Sequence, residues 1–192
     1  MKVILLVFSV FLFTGSLQAQ HEPDFIKLIF SQKQNIAIVE PFHPYPKVIF
    51  LLTESQTWDC DRFVSKKHPG RHAESRNPYI FSDSLLNQMI PEKDKESLPE
   101  FCSNTKSSKL TTTDKKVHLI ASANKIKGYV FESTTPILTP DSIYAFIDLY
   151  IYYKDKSDAS LKNSYYGTVS FVFKQTADQK WALLRKIEDL LL

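Results

Sequence analysis

The sequence lacks the short motifs that carry the commonest enzyme chemistries. No G-x-S-x-G nucleophile elbow, H-E-x-x-H pair, phosphate-binding P-loop or dinucleotide fingerprint occurs in its 192 residues. These motifs hold nucleophiles, metal ligands or phosphate-binding amides at the spacing their chemistry needs. Their absence disfavours an ordinary hydrolase or a cofactor enzyme, so we assign no catalytic residue and expect no cofactor.

Glycine, cysteine and excess charge are also scarce. The chain has four glycines, two cysteines and a net charge of +3, with acids and bases interspersed along most of its length. It has no internal repeat and no low-complexity segment. A balanced charge is not typical of a nucleic-acid-binding protein. The length suits one domain with a sizeable core.

The amino-terminal end has the pattern of a secretory signal peptide. Lys2 precedes an apolar run over 3–13, and residues 14–19 are smaller and more polar. The run is shorter than the roughly 20 residues that span a bilayer as a helix, which disfavours a permanent membrane anchor. We therefore predict a signal peptide over 1–19, cleavage near Ala19, and a secreted or periplasmic protein with one domain over 20–192.

Cys60 and Cys102 are the two cysteines of the chain. A pair in an exported protein is typical of one disulfide, which would contribute about 3–4 kcal/mol by closing a loop of about forty residues. The alternative is a zinc site in which His68 and His72 join both cysteines. The wide spacing of the cysteines, and Pro69 between the histidines, disfavour it. We predict the disulfide and no metal.

Apolar periodicity predicts an α+β fold. Helices are expected from Asp24 and from Ser82, and strands at 36–39 and 47–52 around a proline-rich loop. Residues 92–114 are mostly polar and are interpreted as surface, anchored by Phe101 and Cys102. The carboxy-terminal half carries five further strand-like runs, at 117–121, 128–131, 143–153, 165–174 and 181–187. We predict an antiparallel sheet of four to six strands there, with short helices packed on it.

Two stretches carry a family resemblance, ESTTPILTPDSIYAFIDLYIYY at 132–153 and FVFKQTADQKWALLRKIE at 171–188. Together they resemble secreted proteins of unknown function from Bacteroidetes bacteria. A strand with an aromatic face followed by a hairpin ending in Lys-Trp is also similar to NTF2-like and cystatin-like α+β domains. That resemblance implies helices packed on a curved antiparallel sheet, and it implies no catalytic residues.

A basic cluster follows the first cysteine. Its members are Arg62, Lys66, Lys67, Arg71 and Arg76. Such a cluster could attract an anionic ligand or protein partner, with arginine offering bidentate geometry. The alternative is a solvated loop.

The strand AFIDLYIYY is interrupted by a carboxylate. Alternation places Tyr144, Asp148, Tyr150 and Tyr152 on one face. That face is either a ligand pocket lined by hydroxyl-bearing rings, in which Asp148 would have a raised pKa, or the partly exposed side of a sheet.

These observations favour a non-enzymatic binding or interaction protein, monomeric or weakly associating. The alternative function is a small NTF2-like enzyme or ligand carrier whose pocket surrounds Asp148.

Overall fold

The computed structural model describes residues 24–32, 34–35, 46–64, 79–154 and 165–190. Within them, three short helices accompany an open, mostly antiparallel sheet of seven strands. The predicted α+β class is confirmed, and the strand count exceeds the expected four to six. The helices are α1 Phe25–Phe30, α2 Ser84–Met89 and α3 Glu92–Asn104. The strands are β1 Ile49–Leu52, β2 Val117–Ile120, β3 Gly128–Ser133, β4 Ile137–Leu138, β5 Tyr144–Lys154, β6 Tyr165–Gln175 and β7 Trp181–Leu190.

The longest strands, β5, β6 and β7, pair antiparallel in chain order, as the sequence predicts for this half of the chain. A tight turn joins β6 to β7, in which the Thr176 amide donates to the Lys180 carbonyl over 2.7 Å. Gln179 has a positive φ of 60° in this turn. This is the position where a three-residue hairpin loop needs a left-handed residue.

The early strand β1 lies inside the sheet, in the order β2-β1-β3-β5-β6-β7. It pairs in parallel with both neighbours, with Ile49 opposite Val117 and Phe50 opposite Val130. The expected sheet was wholly antiparallel, so this insertion is a correction. Parallel neighbours need a long crossover, and the segment that contains α2 and α3 supplies one. The predicted strand at 36–39 lies outside the described residues.

Both faces of the central strands are buried. The odd-numbered side of β5, including Ile147 and Leu149, packs with α1 residues such as Ile29. The other side, including Phe146, packs with Leu86 of α2 and Leu98 of α3. A sheet covered on both faces has two separate cores, so polar groups on these strands need partners inside the protein.

Aspartate caps begin the two six-residue helices. The Asp24 carboxylate accepts the Lys27 amide over 2.8 Å at α1. The Asp83 carboxylate accepts the amides of Leu85 and Leu86, both over 3.1 Å, at α2. Such caps satisfy amides that have no partner within the helix. The helix starts predicted near 24 and 82 are confirmed.

Helix α3 was not predicted, because its sequence, EKDKESLPEFCSN, is charged and contains Pro99. It is held by Leu98 and Cys102, which are four residues apart and therefore share a face. Phe101 points outward and is 45% exposed. The expected anchor of Phe101 and Cys102 is thus corrected to Leu98 and Cys102.

Candidate functional site

A short 3-10 turn, Cys60–Phe63, brings the first part of the basic cluster onto the sheet. The Asp59 carboxylate caps the turn by accepting the Asp61 amide over 3.2 Å. The Phe63 ring packs edge-on against Phe146 of β5, with ring centroids 5.4 Å apart. Turn and strand are therefore in direct contact.

A disulfide joins this turn to α3, as the sequence predicts. Cys60 and Cys102 are bonded, with their Cα atoms 5.7 Å apart. This separation is typical of a disulfide. The cross-link fixes the turn to a helix that is itself packed on the same core, which limits how far the turn can move from the sheet.

The turn directs Arg62 into the interior, where its guanidinium pairs with Asp148 of β5. Arg62 Nη1 donates to Asp148 Oδ2, and the two side chains are 1% and 0% exposed. The Trp58 ring lies beside the guanidinium, with its centroid 5.5 Å from the Arg62 carbon Cζ. Two opposite charges and an aromatic face therefore form one buried unit.

Burial raises the pKa of the Asp148 carboxyl, because the charged form loses its hydration. The Arg62 charge and its hydrogen bond oppose that rise. Ser170 of β6, which lies directly opposite Asp148, acts in the same direction as Arg62. The sequence suggested that the Asp148 carboxylate lies inside the protein. It does, and there it pairs with Arg62 of the same chain.

Next to this pair lies a surface that we call the tyrosine surface, defined by Tyr150, Tyr152, Tyr165 and Glu132. The three rings are half-buried. The ring of Tyr165 lies 6.5 Å from that of Tyr150 and 5.8 Å from that of Tyr152, measured between centroids. The cluster spans three adjacent strands, β3, β5 and β6.

Hydrogen bonds orient the polar ends of the tyrosine surface. The Tyr152 hydroxyl donates to Glu132 Oε2 over 2.9 Å, and Gln56 Nε2 donates to Glu132 Oε1 over 2.8 Å. The Tyr165 hydroxyl is 2.5 Å from that of Thr168. Both carboxylate oxygens of Glu132 thus accept hydrogen bonds, which restricts the rotamers of Glu132 and Tyr152. A binding surface depends on side chains that are held in this way.

The phenols of this surface stay neutral in the physiological range. Burial raises the pKa of Tyr150, Tyr152 and Tyr165 above that of an exposed tyrosine. The charges of Asp148 at Tyr150 and of Glu132 at Tyr152 add to the rise. A neutral phenol can both donate and accept a hydrogen bond, which suits it to a polar, uncharged ligand.

Tyr165 was missed from the sequence because simple alternation places it on the wrong face. The register between β5 and β6 shifts at Ile151 and Tyr152, where Gly167 pairs with Ile151 but Tyr165 pairs with Tyr152. The extra residue of β6 is Tyr166, and it places Tyr165, the residue before it, on the face opposite to the one that alternation predicts. The neighbouring sequence YYG was the available signal, since glycine inside a strand often marks such an irregularity.

The remaining predicted pocket residue, Tyr144, lies near the other end of β5. It is buried, and its hydroxyl donates to the Met89 carbonyl over 3.1 Å. The structure therefore groups Asp148, Tyr150 and Tyr152 with Arg62 and separates Tyr144 from them. Of the basic cluster, Arg62 is placed in the core, whereas 66, 67, 71 and 76 lie outside the described residues.

The surface clefts formed by described residues include three that Asp148 does not line. The first, of 330 Å³, lies between α1 and residues 108–113 and includes Asp24 and Lys109. The second, of 690 Å³, is lined by residues 52–57 and by Glu132. The third, of 230 Å³, lies beside Tyr129 and Tyr153. The cleft that includes Glu132 therefore adjoins the tyrosine surface.

Within the described ranges, no group of three or more histidine, cysteine, aspartate or glutamate side chains is placed to hold a metal ion. His68 and His72 of the alternative zinc site lie outside those ranges. Of the described helices, none combines the length and apolar character that crossing a bilayer requires.

The chain matches no family model, no curated protein and no solved structure. The geometry of the described residues is therefore the basis for assigning a function.

Proposed function

We propose that the chain is an exported, non-enzymatic binding protein that uses the tyrosine surface as its contact face. The observation that carries this proposal is the burial of Asp148 against Arg62. A general base has to reach the proton that it removes, and this carboxylate is enclosed and already paired. A secreted or periplasmic location is supported by the predicted signal peptide and by the disulfide.

The surface fits a ligand with apolar faces and hydroxyl groups, such as a saccharide. Tyrosine provides a large, rigid and amphipathic contact at a low cost in conformational entropy. Tyr152 is half-buried and its hydroxyl is bonded to Glu132, and Tyr150 is half-buried beside the ring of Tyr165, so little further ordering is needed when a ligand binds. Glu132 accepts hydrogen bonds at the margin of the neighbouring cleft.

The test is a binding screen with matched tyrosine variants. The purified protein is screened on an oligosaccharide panel, and Kd for the best binder is measured by calorimetry. Tyr150→Ala and Tyr152→Ala should each weaken binding at least about ten-fold, because central aromatic contacts dominate binding energy. Tyr153→Ala is the control, since Tyr153 is a half-buried tyrosine on the same strand that packs against the opposite core.

The alternative, a small NTF2-like enzyme or ligand carrier, makes a different prediction. Its pocket would surround Asp148, so Asp148→Asn should abolish binding or turnover while the folded protein persists. Tyr150 and Tyr152 would line that pocket too, so loss of binding in Asp148→Asn as well as in both tyrosine variants would favour the alternative. Normal binding in Asp148→Asn, with weakened binding in Tyr150→Ala and Tyr152→Ala, would favour the tyrosine surface. Equal binding by all four variants would refute the role of the tyrosine surface.

A further inference from the structure

Strand β7 forms one edge of the sheet. It is ten residues long and, among the described residues, it pairs with β6 alone. Along an edge strand every second residue directs its backbone N–H and C=O away from the sheet. Most strands have about 5–6 residues, so β7 offers an unusually long row of groups that another strand could bond.

The charges of β7 are arranged with opposite signs around one residue. In the segment Arg185-Lys186-Ile187-Glu188-Asp189, two bases precede Ile187 and two acids follow it. The register shift of β7 against β6 lies before this segment, between the pairs Phe173–Leu183 and Val172–Arg185. From Arg185 onward the strand is therefore regular and can pair again on its outer edge.

We propose that the protein forms a two-fold symmetric dimer in which β7 pairs antiparallel with β7 of a second copy, with the axis at Ile187. Residues directly opposite each other in an antiparallel pair either both direct their backbone groups at the partner strand or both direct them away from it, so the axis has to pass through a residue position. An axis at Ile187 places Arg185 opposite Asp189 and Lys186 opposite Glu188, on both sides of the axis.

Neighbouring axis positions do not share this complementarity. With the axis at Lys186, Arg185 would face Ile187 and Glu188 would face Leu184. With the axis at Glu188, Lys186 would face Leu190 and Asp189 would face Ile187. Charges on an edge usually prevent pairing with other strands. On β7 their order instead selects one partner, a second copy of the same chain in one register.

The existing contacts of these side chains are compatible with the dimer. Lys186 Nζ lies 2.6 Å from Glu188 Oε1 on the same face of its own strand, so the two copies together would form a network of four charges. Arg185 bonds Asp83 through Nε and Nη2, at 2.8 and 2.7 Å. A guanidinium has five donors, so it can reach Asp189 of the second copy as well.

The dimer would place both tyrosine surfaces on the same side of one continuous sheet, because paired residues of neighbouring strands share a face. It does not depend on what those surfaces bind. A ligand screen that finds no binder would therefore not contradict the dimer, and a protein that stays monomeric would not contradict the proposed binding surface.

Complementary charge reversal tests the register. Lys186→Glu alone and Glu188→Lys alone each create two like-charged pairs across the axis, and each should raise the dimer Kd at least about ten-fold. In a mixed dimer, Glu at 186 of one copy faces Lys at 188 of the other, and Lys at 186 faces Glu at 188. An equimolar mixture of the two variants should therefore dimerise more tightly than either variant alone. Sedimentation velocity over a concentration series gives the dimer Kd of each variant and of the mixture.

The control is Lys180→Glu, which makes the same change of charge in the β6–β7 turn, at an exposed lysine paired with Asp178. Residue 180 would lie beyond the paired segment, so this variant should dimerise like the natural chain. Circular dichroism and the unfolding midpoint show whether each variant is folded.

A second measurement needs no variant. Unlabelled and isotope-labelled protein are mixed and treated with a carbodiimide, which couples a lysine to a carboxylate in contact. Mass spectrometry should find mixed-isotope peptides that link Lys186 to Glu188. The proposal is overturned if the natural chain stays monomeric at the highest soluble concentration, if both reversals dimerise normally, or if mixing restores nothing and every cross-linked peptide carries a single isotope.

Discussion

Replacing Arg62 with methionine is expected to lower the free energy of unfolding by about 3–5 kcal/mol near pH 7, because Asp148 would stay buried without an opposing charge. The size follows from burial, since the two side chains are 1% and 0% exposed and water cannot take the place of either partner. Single domains of this size have a stability of about 5–15 kcal/mol. The variant is therefore expected to fold, with a large loss.

Removing both charges together gives the informative comparison. Arg62→Met/Asp148→Leu removes both buried ions of the pair together, so it should be far more stable than the sum of the two single variants predicts. Urea unfolding followed by circular dichroism supplies the four free energies of this double-mutant cycle. Lys180→Met, which breaks the exposed pair with Asp178, is the control and should change stability little.

The loss in Arg62→Met should also depend on pH. Burial raises the pKa of Asp148, and this variant lacks the charge that opposes the rise. The folded state then binds a proton more readily than the unfolded state. Stability is therefore highest below the unfolded-state pKa and falls as the pH rises through the folded-state pKa. Additive single effects, or a loss that grows on acidification, would refute the buried ion pair.

Two further predictions concern the disulfide and the α1 cap. Cys60→Ala/Cys102→Ala should lose about 3–4 kcal/mol of stability, and a thiol assay of the denatured natural protein should find two thiols only after reduction. Asp24→Ala should lose about 1–2 kcal/mol near pH 7. Burial raises the pKa of Asp24, but hydrogen bonds from the Thr113 and Lys27 amides and the Thr113 hydroxyl lower it overall. This stabilisation is present above the unfolded-state pKa and disappears as the pH falls through the folded-state value. A disulfide-free protein of unchanged stability, or an Asp24→Ala loss that persists in acid, would contradict these predictions.

Strand positions in the carboxy-terminal half were predictable because long β-strands carry their own signals. The runs predicted at 143–153 and 165–174 correspond to β5 and β6, where β-branched and aromatic residues alternate over many positions. Helix α3 carries no such signal, since Leu98 and Cys102 are its buried apolar residues and Pro99 lies between them. This helix is stabilised by the disulfide and by packing against the core, and neither can be predicted from the local sequence.

The partners of the candidate site were not predictable for a related reason. Arg62 sits in a basic run that resembles a solvated loop, and the carboxylate that it meets lies 86 residues further along the chain. The parallel pairing of β1 could not be predicted either, because a strand of four residues carries no signal for which strands lie beside it. Asp148 was singled out because a carboxylate interrupts an apolar strand, and that signal identified a polar centre without revealing its partner.

The distance along the chain between groups that meet in the core affects how the protein folds. Arg62 is synthesised 86 residues before its partner Asp148. Strand β1 likewise precedes both strands that flank it, which begin at Val117 and Gly128. The amino-terminal half therefore emerges from synthesis well before its partners, and its six-residue helices are too short to persist alone. Folding dominated by distant contacts is slow. Oxidation of Cys60 and Cys102 is therefore expected to finish together with folding of the carboxy-terminal hairpin, late in the maturation of the chain.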